Sequence, residues 1–131
     1  MKPREYLRIV ALRKGSLKPV EFRIREGEVG LSLFARAERP GLADVVDAVR
    51  AMGKQGDLAA VVIPAAEIYA MGLKVVQTPG LTLAPEVNAI HFEARVPVLR
   101  SLLLRLRGVA LHDFFNDRFS DQLCRVAQVL R

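Results

Sequence analysis

Tyr6 to Leu12 is apolar and rich in β-branched residues on both faces of an extended backbone, so it belongs in the middle of a sheet covered on two sides. Only Arg8 interrupts one of those faces. The rest of the chain must therefore supply neighbouring strands and the elements that cover them.

Val20, Phe22 and Ile24 alternate with Glu21, Arg23 and Arg25, Glu26-Gly27-Glu28 reads as a turn, and Val29, Leu31 and Leu33 resume the alternation. This pattern predicts a β-hairpin. Gly30 and Ser32 fall on its other face, small enough to lie under another element or a ligand. Arg39-Pro40-Gly41 breaks the chain, and a helix follows from about Leu42 to Met52, ended by Gly53, with Leu42, Val45, Val46, Val49 and Met52 on one stripe. The uniformly apolar run Leu58 to Ile63 reads as an interior strand. Pro64 then opens a short helix over Ala65 to Met71, Leu73 to Gln77 is a strand, and Thr78-Pro79-Gly80 is a turn.

Asn88 to Arg95 reads as a strand with one polar face. Pro97 opens a helix to about Arg107 whose apolar stripe is Leu99, Leu102, Leu103 and Leu106, with Arg100 and Arg107 on the opposite side. Ser120 is the expected N-cap of a last helix with the stripe Leu123, Val126, Ala127 and Leu130, Cys124 lying beside it. Together these elements predict a single α+β domain spanning residues 1–131, a mixed or largely antiparallel sheet packed by about three to four helices.

Composition narrows the setting. Apolar residues make up 51% and charged residues 26%, the mix of a chain able to bury a core by itself. Cys124 is the only cysteine, which excludes an internal disulfide and a cysteine zinc cage and suits a reducing compartment. Charges from Lys2 to Arg13 leave no room for a secretory signal, and the longest uncharged run, Val75 to Pro85, is too short to span a bilayer. A cytoplasmic protein with no membrane partner is expected.

The net charge is +6, unevenly distributed: residues 1–26 carry eight Lys or Arg against three acids, 27–94 five against eight, and 95–131 seven against three. Basic ends that fold together would form a positive surface for anionic partners. Arginine outnumbers lysine fifteen to five, and its planar fork suits carboxylate and phosphate. A GC-rich genome would produce the same bias.

Several familiar chemistries are excluded. Gly30-Leu31-Ser32-Leu33-Phe34 lacks the closing glycine of a nucleophile elbow. Gly53-Lys54-Gln55-Gly56 lacks the earlier glycine and the following Ser or Thr of a phosphate-binding loop. There is no dinucleotide fingerprint, Cys-x-x-Cys pair or calcium loop, and no cofactor is called for.

Two constellations remain. His91, Glu93 and Arg95 share one face of an extended segment. They form a proton carrier, a carboxylate expected to raise its pKa and fix its tautomer, and an anion clamp. His91 and Glu93 are the candidate catalytic residues, and Arg95, Arg8, Arg23 and Ser32 the candidate substrate-binding residues. The plainer alternative is a solvated sheet face with cross-strand ion pairs. The second constellation is Leu111 to Phe119, where Phe114, Phe115 and Phe119 interleave with polar residues between the last two helices. Its aromatics either stack bases or pin the segment to the core. A metal would need His91, Glu93 and His112 as a two-histidine, one-carboxylate triad, for which nothing else speaks, so no metal ligands are assigned.

Three functions are compatible with these residues. The first is a basic binding or oligomerising protein that engages an anionic partner, an acidic protein or another copy, through arginine-rich surfaces. The second is an enzyme acting on a phosphate- or carboxylate-bearing substrate with His91, Glu93 and Arg95. The third is a sequence-tolerant nucleic-acid binder using Arg100, Arg107 and Arg118, which would hold backbones without reading bases.

Overall fold

In the computed structural model, which describes residues 2–82 and 84–130, the elements run β1 (Glu5–Leu12), a 3-10 turn (Pro19–Phe22), β2 (Gly30–Ala35), α1 (Leu42–Ala51), β3 (Asp57–Pro64), α2 (Ala65–Ala70), β4 (Lys74–Gln77), α3 (Pro85–Asn88), β5 (His91–Arg95), α4 (Val98–Leu106), α5 (Leu111–Val126) and β6 (Gln128–Val129). Among the described residues the six strands form one sheet in the order β4-β5-β2-β1-β3-β6, every pairing antiparallel. The fold is α+β.

β1 lies inside this sheet, paired along its whole length with β3. Its alternate residues enter two separate cores. Tyr6 and Val10 join Phe22, Ile24, Ile68, Phe115, Phe119 and Leu123 beneath α2 and α5, while Leu7 and Ile9 join Val45, Ala48 and Val87 beneath α1 and α3. Cover on both sides is what an apolar strand with no polar face needs. α1 starts where the Gly41 N–H donates to the Asp44 carboxylate at 2.9 Å and stops at Gly53, whose φ of +105° belongs to the left-handed region.

Four expectations are corrected. Residues 20–25 do not pair with 29–33 as a hairpin; β2 pairs instead with β1 and β5. Phe22 and Ile24 do point inward, but α5 meets their backbone needs: the Ile24 N–H donates to Asn116 Oδ1 at 2.8 Å, Asn116 Nδ2 donates to the Ile24 carbonyl at 2.9 Å, and Ser120 Oγ donates to the Phe22 carbonyl at 2.9 Å. Side chains thus replace a ladder. The last helix begins at Leu111, so Ser120 is an interior residue and the aromatic segment is itself helical, with Phe115 and Phe119 buried. The strand at 88–95 is shorter than expected, since Pro85–Asn88 makes one helical turn and extension starts at His91. Finally, the leucine stripe of α4 faces outward; only Leu104 of that helix is buried.

Candidate functional site: a cleft where the sheet parts

β1 and β2 pair only at Tyr6 with Ala35 and Leu7 with Phe34. Beyond Leu7 the ladder stops, and side chains take over the groups it would have joined. Arg8 donates from Nη1 to the Ser32 carbonyl at 2.9 Å and from Nε to the Glu21 carbonyl at 2.7 Å. The Ala11 N–H donates to Glu21 Oε1 at 2.8 Å, and Lys54 Nζ approaches the same oxygen at 3.1 Å. An open strand edge is ordinarily a liability. Here a guanidinium and a carboxylate satisfy it, and the parting becomes the inner wall of a cavity of about 820 Å³, within the usual range for small-molecule pockets.

β2 and β5 form the floor. Gly30, Ser32 and Phe34 alternate toward it, matched by Arg95, Glu93 and His91 across the ladder. Gly30 has a specific reason to be glycine: a Cβ there would stand 2.7 Å from Arg95 Cγ and 2.8 Å from the Ala94 carbonyl oxygen. The missing side chain lets the Arg95 stem cross β2. The end of α1, Lys54, the segment from Thr78 to Thr82, and the chain from Val20 to Glu28 supply the remaining walls.

His91 is 8% exposed and packs edge-on to Phe34, the ring centroids 5.3 Å apart. Its Nδ1 is 2.9 Å from Thr78 Oγ1 and its Nε2 is 3.1 Å from Ser32 Oγ. Each ring nitrogen therefore has a hydroxyl partner; the neutral ring accepts a hydrogen bond from one and donates its N–H to the other. Burial lowers the His91 pKa below its ordinary 6.5, against the opposing pull of Thr78 and Glu93. The expected upward shift is thus reversed. Glu93 is committed elsewhere, its Oε1 accepting from Arg95 Nε at 2.9 Å and Nη2 at 2.7 Å. It makes no hydrogen bond to the imidazole; Ser32 and Thr78 hold the ring in place, and their hydroxyls suit either tautomer.

The other charges are arranged unequally. Burial pulls Arg8 down to about 10, with Glu21 and Glu28 pulling it back, so it stays charged at neutral pH. Burial pushes the Glu21 carboxyl up, but the Ala11 N–H, Lys54 and Arg8 overcome this and hold it below the ordinary carboxylate value. Arg23 and Arg25 lie at the exposed rim, and among the described residues neither has an ion-pair partner.

His91, Glu93, Arg95, Arg8, Arg23 and Ser32 thus line one cavity. Arg100, Arg107 and Arg118 do not. All three are exposed, Arg100 on α4, Arg107 just past its end and Arg118 on α5, and Arg100 sits over the Phe114 ring at 5.1 Å. His112 is also outside the cleft, its Nε2 3.3 Å from Asp113 Oδ1, and no group of three or more metal-ligating side chains comes together among the described residues. Nor is any helix among them long and apolar enough to cross a membrane. Thr78, Glu21 and Lys54 carry roles that sequence reasoning missed. Thr78 reads locally as turn chemistry, and nothing in the chain signals that residues 59 apart, Ser32 and His91, will meet.

Compared with protein families, with curated proteins and with solved structures, the chain matches none.

Proposed function

We propose that the cleft binds a small molecule carrying a phosphate or carboxylate group and that His91 exchanges a proton with it, through or beside the Ser32 hydroxyl. The observation that carries this reading is the juxtaposition, in one cavity, of a buried imidazole that is neutral at physiological pH with cations at the wall and rim. Neutral histidine is the form able to accept a proton. Ser32 and His91 both line the cavity, the Ser32 hydroxyl 3.1 Å from Nε2. Arg23 and Arg25, unpaired among the described residues, are the first groups to offer an anion a fork. Arg95 joins them when the anion displaces Glu93 from part of the guanidinium.

The test is a titration of the full chain with inorganic phosphate and with short mono- and dicarboxylates, followed by NMR of the imidazole and guanidinium groups. Saturable shifts at His91 and Arg95 are expected at millimolar ligand, weakened when Arg23 and Arg25 are both changed to Gln. If none of these anions moves the cleft resonances, the reading is wrong. His91→Gln is expected to retain anion binding while losing any proton exchange detected with a bound substrate.

A further inference from the structure

α4 is amphipathic, yet its apolar side is turned away from the core. Leu104 is the buried residue of the helix, whereas Val98, Leu99, Leu102, Leu103 and Leu106 are 50% to 83% exposed. At roughly 100° per residue these five occupy one arc of about 140° opposite Leu104. Arg105 borders one margin of that arc, and Arg100 and Arg107 border the other. No acidic residue occurs between Arg95 and Asp113. Contiguous apolar surface of this kind, edged by one sign of charge, is the mark of a binding face.

We propose that α4 docks an amphipathic segment of a partner protein whose apolar stripe is flanked by carboxylates. Charge complementarity selects this occupant. A second copy meeting α4 on α4 would set arginines against arginines with no acid on either helix to relieve them. An anionic lipid surface is a poorer fit: α5, which packs on α4 through Phe114 beneath Arg100, exposes Asp113, Asp117 and Asp121 among Arg118 and Arg125, so the surface beside α4 is of mixed sign and not uniformly basic. A helical protein segment can bring glutamates to the arginine margins, fill the leucine ridge at i, i+3, i+4 and i+7, and leave α5 alone.

The probe is a fluorescent synthetic helix with leucines at that spacing and glutamates on both flanks, titrated against the full chain by anisotropy. Its counterpart with lysine in place of glutamate serves as the control. The glutamate peptide is expected to bind at least about tenfold more tightly than the lysine peptide at low salt, with the margin shrinking as salt rises. Leu102→Gln with Leu106→Gln should weaken it by about tenfold or more. Arg100→Gln with Arg107→Gln should erase the preference for glutamate. All four side chains are exposed, so both variants are expected to keep the wild-type circular dichroism spectrum. Equal affinity for the two peptides, or none for either, would overturn the proposal. So would self-association by sedimentation, or pelleting with phosphatidylserine vesicles, that is lost in the leucine variant.

Discussion

At the scale of single residues, the cleft depends on one missing side chain, at Gly30, and on one neutral ring, His91. Gly30→Ala would drive a methyl group into Arg95 Cγ and the Ala94 carbonyl; overpacking against backbone should cost about 1–3 kcal/mol in urea denaturation and shift Arg95. His91 makes stability depend on pH. Its folded pKa lies below 6.5, so between that lower value and 6.5 the unfolded chain binds more protons than the folded one. Stability contributed by the neutral ring is therefore fully present above pH 6.5 and is lost as pH falls toward the folded value. Denaturation curves over that window should show a drop in the wild type that His91→Gln lacks. The sequence placed imidazole, acid and guanidinium on one side of an extended segment, because alternation is local. It could not disclose that Glu93 would bind Arg95 and that burial would outweigh its pull on His91, since side-chain partners at equal spacing compete on distance and geometry.

Among the elements, the segment before β2 shows how a strand-like pattern can end without a strand. Phe22 and Ile24 keep the inward alternation, yet Asn116 and Ser120 on α5 occupy the backbone groups a hairpin would have used. Asn116→Ala removes two hydrogen bonds from a partly buried backbone and should cost about 2–3 kcal/mol. Faster amide exchange at Ile24 should reveal the loosened segment. Helix faces were equally ambiguous. α1 buries Val45 and Ala48 but leaves Leu42, and Met52 just past its end, at 40% and 51% exposure, and α4 turns all its leucines but Leu104 outward. Periodicity states that a helix has an apolar side; what lies against that side is decided by the packing of other segments.

For the molecule as a whole, the decisive event is the separation of β1 from β2 after Leu7. Antiparallel strands ordinarily remain paired, and here Arg8 and Glu21 stabilise the opening by taking the hydrogen bonds of Ser32, Ala11 and the Glu21 carbonyl. Arg8→Met leaves two carbonyls without their charged donor and should destabilise the fold by about 2–4 kcal/mol in chemical denaturation. Anion binding should weaken with it, as the inner wall loses its shape. Arg8→Lys is expected to recover little, because a single ammonium lacks the fork that spans both acceptors. The basic ends do meet, through α5 and the chain at Phe22 to Ile24, although sequence alone specified neither the contact nor the cleft beside it.

Local physics accounts for what the amino-acid order determined by itself: a two-sided interior strand at Tyr6 to Leu12, an α+β alternation of elements, and the one-sided projection of His91, Glu93 and Arg95. Each follows from backbone periodicity and the burial of apolar surface. Tertiary structure alone decided that β1 and β2 would separate, that Ser32 and Thr78 would hold the imidazole, and that the α4 leucines would face outward. Those outcomes arise from competition among distant segments for the same hydrogen bonds and the same apolar cover, a contest no short stretch of sequence contains.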